Sequence, residues 1–208
     1  MRIAVLGTGI VGQTLAGGLR AEGHEVAIGS RDGKSVDGWD GPVGTHAAVL
    51  SDADLAVLAV KGSVAEALVA TLAADLAGKV VIDTTNPISD AEPTDGVLAY
   101  FTDTNFSLLE RLQAAAPAAR FVKAFNSVGA GRMVHPSYAA GRPSMFIGGN
   151  DADAKATVAG LLDALGWDVE DMGTAAAARA IEPLCRLWCI KGFADNGWTH
   201  AFKLLHAG

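Results

Sequence analysis

The chain has 208 residues, which fits one domain and part of a second but not two full domains. Hydrophobic residues make up 50% of it and charged residues 19%, a globular composition that excludes a mainly disordered chain. Its net charge of −7 provides no basic surface for a nucleic acid or an anionic membrane, and no apolar run approaches the roughly 18 residues that cross a bilayer.

Short β-branched runs alternate along the chain with longer segments of helical spacing. The predicted strands are residues 3–6, 26–28, 55–60, 80–82, 121–124 and 145–147. Helices are predicted at residues 10–22, 63–76, 107–116 and 152–165. Strands that are apolar on both faces and separated by helices indicate a parallel sheet covered on both sides. We therefore predict an α/β fold, Rossmann-like and doubly wound with a mostly parallel sheet, over residues 1–172.

The last segment, residues 173–208, is predicted to be a small C-terminal helical region. Residues 174–179 are rich in Ala, and Pro183 suits the first position of a helix. One apolar stripe comprises Ile181, Leu184, Cys185, Trp188 and Cys189, and a second comprises Trp198, Phe202 and Leu205. No strand remains for these helices to cover, so we predict a homodimer through them, with packing on the parent sheet as the alternative.

A glycine-rich turn follows the first predicted strand and opens the first predicted helix. It reads Gly7, Thr8, Gly9, Ile10, Val11 and Gly12. In a dinucleotide-binding turn the first glycine makes a tight bend, the second lets the backbone approach the pyrophosphate, and the third lets the helix press on the strand. The unpaired N–H groups at the helix start would hold the phosphates. We predict a dinucleotide site here.

The end of the second strand indicates which dinucleotide is bound. An NAD enzyme needs an acidic side chain there for the ribose hydroxyls, whereas this chain has Ser30 and Arg31, followed by Lys34. A hydroxyl, a guanidinium and an ammonium group suit a 2′-phosphate. Asp32 is the exception, and it is expected to point away or to cap the turn. We therefore predict NADP(H) as the cofactor.

The remaining predicted cofactor contacts lie where later strands end, because ligands of open α/β sheets bind beyond the carboxyl ends of the strands. They are Val60, Lys61, Asn86, Ala124 and Asn126. Asn86 and Asn126 are the expected hydrogen-bonding groups for the nicotinamide half, while turn chemistry before Pro87 is the alternative for the segment around Asn86. Lys61 is either a proton donor, a ribose contact or a solvated lysine.

Several of these motifs occur together in one known family. The chain resembles the NADPH-dependent coenzyme F420 reductases, also called F420:NADP oxidoreductases. The resemblance lies in the phosphate turn, Gly29-Ser30-Arg31, residues 83–87, 122–128 and 145–150, and the run Ala180-Ile181-Glu182-Pro183-Leu184. The resemblance covers essentially the whole chain. It implies a homodimer, a helical tail that shapes the cleft, and hydride transfer between the nicotinamide and a deazaflavin co-substrate, coenzyme F420.

Direct hydride transfer between stacked rings depends on proximity and orientation, so no catalytic acid or base is predicted. No metal site is predicted either, because the five histidines lack ligand spacing, and structural or solvated roles are expected for them. Cys185 and Cys189 are expected to pack in the core. Two cysteines cannot build a disulfide framework, and the apolar N-terminus stops too early for a signal peptide, so a cytoplasmic location is expected.

One departure from the family leaves the acceptor open. Where this chain has Asn126-Ser127, the deazaflavin-reducing members often have His-Thr. The acceptor is therefore a deazaflavin or flavin-like ring or, alternatively, a small carbonyl or imine. A non-enzymatic NADP(H)-sensing module is the third possibility.

Overall fold

The protein, described here by a computed structural model over residues 1–207, contains eight strands within that range. They are β1 (Arg2–Leu6), β2 (Glu25–Ser30), β3 (Val43–Thr45), β4 (Leu55–Leu58), β5 (Val80–Asp83), β6 (Arg120–Lys123), β7 (Ser144–Gly149) and β8 (Asp168–Asp171). They form one sheet in the order β3-β2-β1-β4-β5-β6-β7-β8, and every pairing is parallel except that between β6 and β7. The predicted α/β, mostly parallel fold is confirmed.

Helices cover both faces of this sheet. They are α1 (Ile10–Ala21), α2 (His46–Ser51), α3 (Gly62–Thr71), α4 (Ala73–Leu76), α5 (Leu108–Ala115), α6 (Ala152–Ala164), α7 (Ala178–Ile181) and α8 (Pro183–Asp195). On one face the core is closed by apolar side chains of α1 and α6, such as Leu15 and Val158. On the other face it is closed by α2 to α5, for instance by Leu50, Val69 and Leu112. The fold is therefore doubly wound.

Some elements differ from the predictions. The helix predicted over 63–76 is divided into α3 and α4, because Leu72 leaves the helical backbone conformation between them. The strands β3 and β8 and the helix α2 were not predicted. Both strands lie at the outer edges of the sheet and are only partly buried, so neither has the continuous apolar run of a central parallel strand.

The C-terminal region packs on the sheet domain. Pro183 occupies the first turn of α8 as predicted, but the helix predicted around Trp198, Phe202 and Leu205 is absent from residues 197–207. Asn196 adopts a left-handed conformation with φ of 47° and ends α8. The chain then runs beside β7, where the Ser144 N–H donates to the Phe202 carbonyl over 2.9 Å. The division at residue 172 remains a prediction.

Candidate functional site

The glycine-rich turn has the geometry that its sequence predicts. Gly7 has φ of +134°, and a Cβ there would collide with the Ala59 carbonyl of the neighbouring loop. A Cβ on Gly12 would collide with the Gly7 carbonyl. At Gly9, by contrast, a Cβ would meet nothing within 4 Å, because this residue faces an open cleft. Gly7 and Gly12 are thus required by packing, while Gly9 leaves the approach to the helix free.

The start of α1 offers unpaired backbone donors to that cleft. Gly9 is the N-cap and provides no side chain to accept hydrogen bonds from the first turn. The Gln13 Nε2 donates to the Thr8 carbonyl over 2.8 Å and holds the turn in shape. Free N–H groups and the helix dipole favour a negatively charged group at this point. The turn therefore fits a pyrophosphate.

The cleft above the turn has a volume of about 940 Å³ and crosses the carboxyl ends of β1, β2, β4 and β5. It is lined by ten of the fourteen predicted cofactor residues: Gly7, Thr8, Gly9, Ile10, Val11, Ser30, Arg31, Val60, Lys61 and Asn86. Lys34 lines an adjoining hollow, and Gly12 lies behind the turn. Most of the predicted set is therefore brought to one surface.

The end of the cleft at β2 is formed by Ser30 and Arg31. Ser30 and Arg31 line both the cleft and the adjoining hollow of about 680 Å³. Asp32, the acidic residue nearby, accepts a hydrogen bond from the Lys34 N–H at 3.2 Å, and the Lys34 Nζ lies 3.3 Å from its carboxylate. That backbone hydrogen bond, with the Lys34 ammonium, lowers the pKa of Asp32. Asp32 thus caps the turn and also accepts a hydrogen bond from the Ser30 hydroxyl at 3.4 Å, so that Arg31 is the charged side chain left to face a ribose phosphate.

The other end of the cleft is built from the segment after β5. The Asn86 Nδ2 donates to the Asn126 carbonyl over 2.8 Å, and the Asn126 Nδ2 donates to Asn86 Oδ1 over 3.2 Å and to the Ile181 carbonyl over 2.9 Å. Asn126 is buried and Ala124 lies in the core, so neither lines the cleft. Asn126 instead fixes the side chain of Asn86, and through it the wall of the cleft.

A fully buried ionic cluster below that wall was not predicted from the sequence. The Lys123 Nζ lies 2.6 Å from Asp83 Oδ2 and 3.0 Å from Glu182 Oε1, and it donates to the Thr85 carbonyl over 2.8 Å. Burial by itself lowers the pKa of Lys123, but Asp83 and Glu182 outweigh that effect and raise it. Asp83 and Lys123 are register partners on the adjacent strands β5 and β6. An acidic and a basic residue at the ends of neighbouring strands are the sequence signal that could have indicated this ion pair.

Glu182 joins the C-terminal region to this cluster. Its two carboxylate oxygens accept hydrogen bonds from the Leu108 and Leu109 N–H groups, each at 3.0 Å, and so cap α5. Asp83 Oδ1 in turn accepts from both the N–H and the hydroxyl of Thr85, at 2.9 and 2.7 Å. Asp83, Lys123 and Glu182 do not line the cleft themselves, but their hydrogen bonds hold Thr85, which does, and so fix the segment of Thr85 and Asn86 from below.

The chain is similar to known proteins of one family. Residues 2–87 match the family model described as NADP oxidoreductase, coenzyme F420-dependent. A protein from Arthrobacter sp. FB24, provisionally described as an F420-dependent NADP reductase, is 38% identical; the match covers 99% of this chain and 100% of that one, with a TM-score of 0.89. The chain belongs to the F420-dependent NADP oxidoreductase family. As a member of this family it is an NADP-dependent oxidoreductase.

Two further proteins are less similar to this chain than the Arthrobacter protein is. A metalloreductase from Rattus norvegicus, STEAP3, is 30% identical over 186 residues, which cover 88% of this chain but only 36% of the metalloreductase. The chain therefore spans about a third of that relative. A Sinorhizobium meliloti protein of solved structure is 27% identical, covering 88% of this chain and 89% of its own, with a TM-score of 0.73.

Three further expectations concern the two cysteines, helices that could cross a membrane, and His46. The Cys185 and Cys189 sulfur atoms lie 4.0 Å apart in a small cluster with Leu98 and Trp188, as their predicted packing role requires. Among residues 1–207, no helix has both the length and the apolarity to cross a bilayer. His46, for which a structural or solvated role was expected, lines the cleft beside Arg31.

Proposed function

We propose that this chain transfers a hydride between NADP(H) and a flat ring of the deazaflavin or flavin class. The observation that carries this proposal is the single cleft that runs from Ser30 and Arg31, over the start of α1, to Asn86. Its order of groups matches a 2′-phosphate, a pyrophosphate and a carboxamide. The fourteen residues predicted from the sequence remain our candidates for cofactor binding. Of these, Ala124 and Asn126 are buried and would act by supporting the wall of the cleft.

Each group in the cleft has a separate task in this proposal. The N–H groups of α1 hold the pyrophosphate, Arg31 forks onto the 2′-phosphate, and Asn86 orients the carboxamide. When bound, the nicotinamide supplies or accepts the hydride. Because such a transfer needs aligned rings rather than proton transfer, the protein contributes orientation and exclusion of water. The buried Lys123 cluster holds the Asn86 segment fixed for this purpose.

The acceptor is proposed from the openness of the cleft and from the family. Ile10 is 71% exposed, although it is apolar, and the cleft continues past Asn86 to Ile88, Ser89 and Asp90. An exposed apolar side chain beside a broad slot suits the face of a flat ring, whereas a small carbonyl or imine needs a closed polar pocket. The family name and the Arthrobacter protein both favour coenzyme F420 as that ring.

The test is a titration of the purified protein with NADPH and NADH, followed by addition of coenzyme F420, FMN or FAD. We expect NADPH to bind more tightly than NADH and the absorbance of F420 to bleach. Bleaching of FMN or FAD without bleaching of F420 would identify the acceptor as a flavin rather than a deazaflavin. Tight NADPH binding with neither ring reduced would refute the proposed acceptor and favour a carbonyl or imine. Failure to bind NADPH would refute the proposed cofactor site.

We also propose that the protein is a homodimer through the C-terminal helices. Leu187, Ile190 and Phe193 recur at intervals of three on α8 and are 56%, 37% and 45% exposed. Such a stripe on one helix suits a second copy of the chain. Sedimentation velocity should find a dimer, and Leu187→Glu/Phe193→Glu should yield a monomer. Met172→Glu, at another exposed apolar residue, is the matched control and should remain a dimer.

A cytoplasmic location is proposed on the basis of the two thiols. The Cys185 and Cys189 sulfur atoms are 4.0 Å apart, about twice the length of a disulfide bond, and both side chains are buried. Unlinked thiols suit a reducing compartment. Fractionation of the cells that produce the protein should find it with cytoplasmic markers, and recovery with secreted material would contradict this.

A further inference from the structure

His46 occupies a fixed position at the edge of the cleft. It is the first residue of α2, directly after Thr45, and Thr45 is the register partner of Ser30 on the neighbouring strand. The Thr45 hydroxyl accepts a hydrogen bond from the Ala48 N–H at 3.3 Å and so holds the start of this helix. The imidazole lies close against Gly29, since a Cβ at that glycine would be 3.1 Å from His46 Cδ2. His46 therefore lies beside the carboxyl end of β2.

The groups around His46 make it sensitive to a negative charge. Burial, and then the positive charge of Arg31, lower the pKa of His46 below its ordinary value of 6.5. Arg31 is the charge that acts on it; in the same loop Asp32 and Lys34 pair with each other. The imidazole is thus neutral at pH 7 when the cleft holds no anion.

We propose that His46 is a further recognition residue for the 2′-phosphate of NADP(H), and that it takes up one proton from the solvent when that phosphate binds. The proposal rests on the proposed NADP(H) site, whose Ser30 and Arg31 line the cleft together with His46. No bond other than the N–H bond at the unprotonated ring nitrogen is formed.

The direction of the coupling follows from the charges. A phosphate dianion beside Arg31 cancels the positive field that disfavours imidazolium, so the protonated ring is stabilised in the complex. The contribution of His46 to the affinity for NADP⁺ is therefore fully present below the pKa that His46 has in the free protein, and it is lost as the pH rises through the pKa that His46 has in the complex. Each unit by which binding raises that pKa adds about a factor of ten to the affinity at low pH. NAD⁺, which has no 2′-phosphate, lacks this coupling.

The test is calorimetric titration of NADP⁺ and NAD⁺ at pH 6 and pH 8, each in two buffers of different ionisation enthalpy. The buffers report the number of protons taken up, and the two pH values report the change in affinity. The variant is His46→Gln, which keeps a polar group but cannot be protonated. His24→Gln is the matched control, because burial also lowers the pKa of His24, yet His24 is not among the residues that line the cleft.

We expect wild-type protein and His24→Gln to show the same net proton exchange on binding NADP⁺, and His46→Gln to take up fewer protons, because only the release from the 2′-phosphate, which Arg31 favours as the dianion, then remains. His46→Gln should weaken NADP⁺ binding roughly threefold to tenfold at pH 6, less at pH 8, and leave NAD⁺ unchanged. Equal proton uptake in wild type and His46→Gln would overturn the inference while leaving the cofactor site intact. Absence of NADP⁺ binding by the wild type would instead refute the proposed function.

Discussion

The glycines of the phosphate turn show how single residues divide between fold and function. A side chain at Gly7 would collide with the Ala59 carbonyl, and its φ of +134° strains any other residue, whereas a side chain at Gly9 would enter only the cleft. Gly7→Ala should therefore lower the free energy of unfolding, by about 1–3 kcal/mol from backbone strain alone. Gly9→Ala should retain stability but lose affinity for NADPH. Urea unfolding and NADPH titration of both variants would separate these effects; equal destabilisation of the two would contradict this division.

Arg31 is the residue that we propose to discriminate between NADPH and NADH. Its guanidinium lines the cleft with Ser30, while the nearby Asp32 is held by Lys34. Hydrogen bonds to charged groups contribute about 1.5–3 kcal/mol, so Arg31→Ala should weaken NADPH binding roughly tenfold to a hundredfold. NADH binding should change much less, and Arg31→Lys should lie between. Comparable losses for both cofactors would show that Arg31 does not contact the 2′-phosphate.

The helices α5 and α7 are joined by an ion pair between Glu110 and Arg179. Arg179 Nε donates to Glu110 Oε2 over 3.0 Å, and Glu110 also forms a capping box with Ser107. The Arg179 hydrogen bond is the largest cause that lowers the pKa of Glu110, to about 2 from an ordinary 4.5. The resulting stability is fully present above pH 4.5 and is lost as the pH falls towards 2.

Arg179→Ala should therefore destabilise the protein at pH 7 and progressively less between pH 4.5 and pH 2. Urea unfolding across this range would measure the difference from wild type. Arg186→Ala, whose guanidinium lies over the ring of Tyr100, is the control, since it removes an arginine of the same region without touching Glu110. A penalty for Arg179→Ala that is independent of pH would mean that packing, not charge, accounts for it.

The strands and helices differ in how clearly the sequence predicts them. The central strands were predicted because β1, β4 and β5 are apolar on both faces, and α1 because its glycine turn and apolar stripe agree. The edge strands β3 and β8 are short and half-exposed, so they carry no such signal. The apolar spacing of Trp198, Phe202 and Leu205 indicated a helix, but two hydrogen bonds to Ser144 compete with it. The Ser144 N–H donates to the Phe202 carbonyl, and the Leu204 N–H donates to the Ser144 hydroxyl.

At the scale of the whole molecule, the buried cluster of Asp83, Lys123 and Glu182 joins two strands to the C-terminal region. Lys123→Met would leave two buried carboxylates unpaired and should cost about 3–5 kcal/mol of stability. Lys79→Met is the control: its Nζ donates only to the Ala53 carbonyl, so it should cost about 1 kcal/mol. Lys123→Met/Glu182→Gln should recover part of the loss, and no recovery would contradict the electrostatic explanation.

The candidate site was predictable where its chemistry is local in the sequence and not where it depends on contacts between distant segments. The glycine turn and Ser30-Arg31 each lie within a few consecutive residues, and both line the cleft as predicted. Asn126 was expected in the cleft but contacts Ile181, 55 residues away, and Glu182 reaches Leu108 across 74 residues. No spacing rule within a single chain indicates such pairs.

The carboxylate of Glu182 has a consequence for any attempt to change the acceptor by protein engineering. It lies on the segment that leads into α8, yet it caps α5 and neutralises Lys123 beneath the cleft wall. The last 36 residues are therefore not an interchangeable cassette. We expect a chimera that receives another family member's C-terminal segment to fold only when that segment brings an acidic side chain to this position, or when Lys123 is replaced with it.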